Sequence, residues 1–346
     1  MKQIVLFFLL LICVACNKKT ELEDQAVIDR LLYVYNQKSL VDEKIWSGFS
    51  DNKFDVPIIY YDKLNCYIAN PTEKFLNQFK PELIFTSNTL NIYKSSLLDS
   101  IPFHMQVSVS FDEDKKESYN YKSPYMRCSS PEITQNTVPD VPSTEVWSTM
   151  VMHEYFHGFQ FRHKQYLEHF ERNIILMTQD TLQSIYSQNN WYKESVDKEN
   201  DMLLSAIASV DTAEIKEYIK SFFILREKRR KSTKEKLNVD ISVIEEIFET
   251  MEGTARYVEF NLYNIFSAKQ PDIEMISSDT LYQSYKYFKG FNFEQNEWLY
   301  KTGSTYYYAI GFNILRLLDK LDIKYKSDLF KDDISAEKIL MNYSTE

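Results

Sequence analysis

The chain reads as an α+β protein, a small mixed sheet in its first part followed by a mainly helical second part. Three observations lead there. Short β-branched and aromatic runs cluster between residues 56 and 111, helical patterning dominates after Pro142, and glycine is scarce, at 6 in 346 residues. Scarce glycine argues against folds with many tight turns or phosphate-cradling loops, and no Walker or Rossmann glycine pattern occurs. Hydrophobic residues at 44% and charged residues at 26% fall in the globular range. The 25 Tyr and 23 Phe read as packing rather than as a stacking surface for sugars or bases.

A helix is expected over residues 21–46, where Val27, Leu31, Leu32, Val34 and Tyr35 share one side. Val56 to Tyr61 and Cys66 to Ala69 are short β-rich runs flanking Asp62 to Asn65, which predicts a hairpin. Leu83 to Thr86 adds a strand. From Phe103 to Phe111 the pattern alternates, with Phe103, Met105, Val107, Val109 and Phe111 on one face and His104, Gln106, Ser108 and Ser110 on the other. That predicts a half-buried strand. Pro124, Pro131, Pro139 and Pro142 mark a loop-rich passage without long regular elements. Ser143 or Thr144 then caps a helix expected to reach Arg172, with Glu145 in its first turn. Further helices are expected near 197–210, 212–231, 240–265 and 303–321.

The first residues read as an address. Lys2 supplies a positive start, Ile4 to Ile12 are apolar, and the run ends in Cys13-Val14-Ala15-Cys16. Such a stretch is too short to span a bilayer but suits a signal peptide. Its end resembles a bacterial lipobox, which implies a signal peptide over 1–15, lipid on Cys16, and an exported, membrane-anchored protein on the periplasmic or cell-surface face. Residues 16–142 then form the α/β part with the sheet, and 143–346 the helical part of the same unit. Cys66 and Cys128 remain, and a disulfide between them is left open.

The balance of 40 basic against 50 acidic residues gives a net charge of −10, which argues against nucleic acid as a partner. The basic run Arg226-Glu227-Lys228-Arg229-Arg230-Lys231, continuing to Lys234 and Lys236, is expected to be the solvated end of a helix and its linker.

The chemistry concentrates in His153-Glu154-Tyr155-Phe156-His157. Residues four apart lie on one helix face, about 6 Å apart along the axis, so both imidazoles can address one ion. Glu154 projects beside it, where it can hold a water. This is the H-E-x-x-H arrangement of zinc peptidases, and it implies Zn²⁺ as cofactor. Two residues compete for third ligand. His163 stands where metzincins place theirs, but the metzincin glycine is Gln160 here. An unbroken helix would rotate His163 by about 240° and carry it about 9 Å along the axis. Glu252 lies in Met251-Glu252-Gly253-Thr254-Ala255-Arg256-Tyr257-Val258-Glu259, which resembles the third-ligand helix of gluzincins, particularly of alanyl-aminopeptidase-like enzymes.

That resemblance, over 145–165 and 245–262, implies a zincin-like catalytic domain with His153, His157 and Glu252 on the metal. It makes Gly253 and Ala255 the small residues that let two helices approach. Glu259 becomes an acceptor for a ligating histidine. Tyr306-Tyr307-Tyr308-Ala309-Ile310-Gly311 resembles the tyrosine-x-x-glycine helix start of peptidase-MA-like proteins, making Tyr308 the candidate oxyanion donor, with Tyr306 and Tyr307 as rivals. No G-x-M-E-N amine anchor occurs, and 94 residues lie between His157 and Glu252, so the resemblance does not extend to aminopeptidase specificity. The expected function is zinc-dependent hydrolysis of a peptide or related amide, with Glu154 as general base and the strand at Phe103–Phe111 lining the cleft. The alternative is a surface lipoprotein that keeps the scaffold for binding with little or no turnover. Glu154 argues against it, since a binder has no need of a base.

Overall fold

The structure is a computed structural model, described over residues 24–109, 124–175, 177–285, 301–331 and 333–345. The expected signal peptide, Cys16, and Ser110 and Phe111 lie outside the described residues. Among those described, no helix is long and apolar enough to cross a membrane.

Among the described residues helix α1 covers 24–44, ending two residues earlier than expected, and buries Val27, Ile28, Leu31, Val34 and Val41. Strands β1 (Ile58–Tyr61) and β2 (Cys66–Ala69) form the expected hairpin. Its turn is fixed by Asp62, whose Oδ1 accepts the backbone N–H groups of Leu64 and Asn65, both at 2.7 Å. Helix α2 (Glu73–Phe79), β3 (Glu82–Thr86), β4 (Asn91–Ser95), β5 (Met105–Ser108) and β6 (Tyr125–Ser129) follow. The sheet runs β3-β4-β2-β1-β6-β5, with β1 and β6 parallel and every other pair antiparallel.

The sheet corrects two expectations. The passage after Pro124 holds β6 and then helix α3 (Pro131–Thr137), because Pro131 sits at a helix start under the Ser130 cap rather than in a loop. The strand within Phe103–Phe111 is only four residues long in the ladder, and His104, expected outward, is buried against Tyr61 with its ring centroid 4.4 Å away. The reason is that this sheet is covered on both faces. Ile58, Tyr60, Met126 and Cys128 join the main core, while Ile59, Tyr61, Cys66 and Ile68 pack with Phe75 and Phe79 of α2. The same division answers the disulfide question. Cys66 and Cys128 are free, two strands apart and on opposite faces, beyond the reach of a bridge.

Helix α4 (Thr144–Phe161) begins at Ser143, whose Oγ accepts the Val146 N–H at 3.3 Å. Every residue of α4 except Met150 and Glu154 is buried. It ends earlier than expected. His163 is extended (φ −83°, ψ 102°), its ring nitrogen Nδ1 meets the Phe159 carbonyl at 2.9 Å, and its backbone N–H turns to Gln160 instead, at 3.0 Å. The side chain thus takes the carbonyl that the next helical turn required. Helices α5 (Lys164–Ile174), α6 (Gln179–Gln188), α7 (Asn190–Ala208), α8 (Thr212–Leu237), α9 (Ser242–Ala268), α10 (Ile273–Ser278), α11 (Tyr306–Lys320) and α12 (Ala336–Thr345) complete the chain.

Helix α9 is the hub, packed on α4, α5, α11 and α12. The close approach that Gly253 permits is to α11 and not to a metal-bearing partner helix as expected. A Cβ at Gly253 would stand 2.5 Å from the Gly311 carbonyl carbon, and one at Gly311 only 1.9 Å from the Glu249 carbonyl oxygen. The basic run is solvated at Lys228, Lys231, Lys234 and Lys236, as expected, but not at its arginines. Arg226 and Arg229 are each 1% exposed. Spaced three and four apart, Arg226, Arg229 and Arg230 share one face of α8, which turns inward. Arg229 binds Glu199 through Nη2 and Glu245 through Nη1, both at 2.8 Å, Arg230 binds Glu337 at 2.8 Å, and Arg226 pairs with Glu249.

Candidate metal centre

One turn of α4 brings the His153 and His157 rings to 5.0 Å between centroids, at 83° to one another. Each ring is held through its Nδ1. That of His153 meets Glu259 Oε2 at 3.1 Å, and that of His157 meets Gln160 Oε1 at 3.0 Å. Both partners are acceptors, so each Nδ1 carries a hydrogen and each Nε2 is the atom left to face the cluster. Glu259 in turn accepts from Tyr263 at 3.0 Å, and Gln160 donates to the Met251 carbonyl at 2.9 Å. The ring orientations are therefore fixed from both α4 and α9.

The two Nε2 atoms point at one oxygen. Glu252 Oε2 lies 3.5 Å from His153 Nε2 and 3.2 Å from His157 Nε2. It is buried without a hydrogen-bond partner, while Oε1 of the same carboxylate accepts from Gln179 Nε2 at 2.8 Å. Ligands of a tetrahedral zinc site, with bonds near 2.0–2.1 Å, stand about 3.3 Å apart. The donor set, its spacing and the orphaned oxygen all fit such an ion. Glu154 also brings a carboxylate oxygen within 4.8 Å of both imidazoles. Glu252 is nearer and faces both nitrogens, so it has the ligand's geometry, and half-buried Glu154 has that of a group beside the ion.

Charge tells the same story. Without an ion, burial disfavours an imidazolium at His153, but the carboxylates of Glu252 and Glu259 outweigh it and push the group up to about 10. His157 is raised against the same burial cost by Glu252. Burial opposes ionisation of Glu252, yet the two histidines hold it far below the usual carboxylate range. Positive charge is thus strongly favoured where the three donors meet. Burial raises Glu154, against the pull of His157 and His153, which suits a carboxylate that takes up a proton.

A cavity of about 630 Å³ opens on this cluster. Glu154, His157, Glu252 and Tyr308 line it on the helical side and Met105 to Val109 on the sheet side. Tyr308 stacks on His153, with ring centroids 6.0 Å apart, and the Arg256 guanidinium lies 4.6 Å from the centre of its ring. Burial and then the charge of Glu252 raise its pKa well above that of an ordinary tyrosine, which keeps its hydroxyl a donor.

Comparison with protein-family models, with curated proteins and with solved structures gave no match. The reading therefore rests on the residues.

Of the residues singled out in the sequence, His153, Glu154, His157, Glu252, Glu259 and Tyr308 come together. Tyr306 instead donates to Glu245 at 2.6 Å inside the arginine network, and Tyr307 accepts from Gln183 at 3.0 Å. His163 stacks on Phe54, 4.4 Å between centroids, and takes no part. Two supporting residues escaped the sequence reading. Gln160, weighed there only as a missing glycine, stands three residues after His157 on the same helix face, a spacing that carries the signal. Gln179 lies at the start of α6, within the long interval between the two motifs, and nothing in its local sequence marks it.

Proposed function

We propose that the protein is a zinc-dependent hydrolase of the gluzincin type, cleaving peptide or related amide bonds. The observation that carries this is Glu252 Oε2, buried without a hydrogen-bond partner and 3.2 and 3.5 Å from two imidazole nitrogens. An unmatched buried carboxylate oxygen is costly unless something else meets it.

His153, His157 and Glu252 would hold the ion. When bound, zinc supplies Lewis acidity, polarising a carbonyl and acidifying water. Glu154, half-buried at the cavity wall, takes the proton of the attacking water and returns it to the leaving amine. The Tyr308 hydroxyl donates to the oxygen on which negative charge develops. Among the described residues strand β5 pairs only with β6, which leaves its other edge for an extended peptide to add as a further strand. The sequence around Cys16 supports export and anchoring by lipid on that residue. Fractionation of a Cys16→Ser variant checks the anchor, and continued membrane association without the lipid contradicts it.

The activity is tested by digesting a broad peptide library with purified protein, with and without a chelator. Cleavage that stops on chelation and returns with zinc is the expected result. A zinc-loaded protein that cleaves nothing contradicts the hydrolase and leaves a binding scaffold.

A further inference from the structure

The cavity beside the candidate metal centre follows the edge of β5 that no other described strand pairs with. Met105, Gln106, Val107, Ser108 and Val109 all line it, although successive strand side chains point to opposite faces. A groove meets both faces of a strand in this way only by running along its free edge. On one face it reaches Glu154 and Glu252. Round the edge, on the face that carries Tyr125 and the α2 cluster, it reaches Arg127 of β6.

Arg127 is the only lysine or arginine among the described residues that line this cavity, in a chain of net charge −10. Its side chain is 13% exposed, and the one ion pair it makes among the described residues, to Asp99 Oδ2, is 4.0 Å long, beyond hydrogen-bond reach. The other Asp99 oxygen is engaged by His104 Nε2 at 2.9 Å. Arg127 Nε is buried with no hydrogen-bond partner. A guanidinium with five donors in a planar fork is thus held in the groove wall with donor capacity unused, in the geometry that suits a carboxylate.

We infer that Arg127 sets substrate specificity by anchoring a carboxylate of the peptide bound along β5. The ladder register places Arg127 directly across from Gln106. A peptide residue paired opposite Gln106 shares that row, with its backbone about 9.5 Å from that of β6, a gap that an arginine and a glutamate side chain bridge together. Its neighbours on either side turn to the opposite face, toward Glu154 and the metal ligands. The carboxylate comes from an aspartate or glutamate on the face turned away from the metal, or from a free C-terminus ending in that row. The inference rests on the hydrolase reading for its turnover arm alone.

Two peptide pools, identical except for Glu against Gln at one position, are prepared each as free acid and as C-terminal amide. Wild type is assayed for kcat/KM, and immobilised Glu154→Gln protein for retention without turnover, read by mass spectrometry. The carboxylate pools should be preferred by about tenfold or more in both arms. A preference for Glu that survives amidation identifies the side chain as the source, and one lost on amidation identifies the C-terminus. Arg127→Gln should bring the ratio close to one while leaving the neutral, amidated pool unchanged. Arg127→Lys keeps the charge but loses the fork, and should fall between; it carries the test should Arg127→Gln not fold. Equal treatment of the pools by wild type, equal loss of both in Arg127→Gln, or no retention of any pool overturns the inference. Preference in retention without cleavage upholds Arg127 and removes the hydrolase, whereas cleavage without preference does the reverse.

Discussion

Glu245 and Glu249 of α9 face one buried cluster of charges, and Glu252, less than a turn beyond Glu249 on the same helix, faces another together with Glu259. In the first, the guanidinium groups of Arg226, Arg229 and Arg230 meet the carboxylates of Glu199, Glu245, Glu249 and Glu337. Burial pushes Glu249 up in spite of Arg226 beside it. Tyr192 and Tyr306 fill remaining positions around Glu245 and Arg229. In the second cluster, the Nε2 atoms of two imidazoles converge on one carboxylate oxygen. Burial and charge alone do not distinguish the two clusters, and neither does an unpartnered atom, since Arg226 Nε and Glu249 Oε1 of the first are also buried without a hydrogen-bond partner. What does is whether guanidinium donors meet carboxylates, as around Arg229, or whether two imidazole nitrogens able to bind a metal face one carboxylate oxygen, as at Glu252 Oε2.

That contrast can be broken at either end. Glu252→Ala should empty the second cluster of zinc, while His163→Ala, at a packing residue, leaves metal content near wild type. Metal analysis of the two purified variants checks this, and the reverse pattern would move the site to His163. Arg229→Met takes one guanidinium partner from both Glu199 and Glu245, leaving them Arg226 and Arg230. Its expected effect is destabilisation by about 3–5 kcal/mol in denaturant, with zinc content of the folded fraction unchanged. Zinc loss in this variant without loss of stability would mean that the two clusters are one system.

Smaller changes sharpen the second cluster. Removing one oxyanion donor lowers turnover by about 10²–10³-fold. Tyr308→Phe should do so at constant zinc content, and Tyr307→Phe should not. A further effect is in pH. His153 titrates near 10 without an ion, and this raised value means that the proton stays on below that pH and must leave when zinc binds. Apparent zinc affinity should therefore rise with pH between the ordinary histidine value of about 6.5 and about 10, with proton release measurable by calorimetry in buffers of different ionisation enthalpy. Affinity independent of pH over that window would separate His153 from the metal.

The histidine pair was legible in the sequence because residues 153 and 157 are one turn apart wherever α4 lies. Glu252 and Glu259, on a helix distant in the chain, were legible only through the resemblance of their segment to a gluzincin third-ligand helix. The β1–β2 hairpin was legible for a similar local reason, in the turn chemistry of Asp62. What was not legible depends on partners distant in the chain. The end of α4 is set by the His163 ring, which packs on Phe54 and Phe330. The arginine run of α8 looks like a solvated face until four carboxylates from α7, α9 and α12 arrive to meet it. The choice among Tyr306, Tyr307 and Tyr308 required knowing which side of α11 meets α9 and which meets the cavity. β6 hid behind its flanking prolines, since a strand buried on both faces has no alternation to display.

The claim that joins these parts is that Glu154 is the base of a hydrolase whose metal it does not hold. Glutamine at this position nearly keeps the shape and still forms hydrogen bonds, but it cannot accept a proton. Zinc content, melting temperature and peptide-library digestion, measured on wild type and Glu154→Gln prepared side by side, test this directly. The account predicts one zinc and an unchanged fold in both, with hydrolysis reduced by about 10²–10⁴-fold in the variant. Equal cleavage by the two proteins, or loss of zinc in Glu154→Gln, would contradict it.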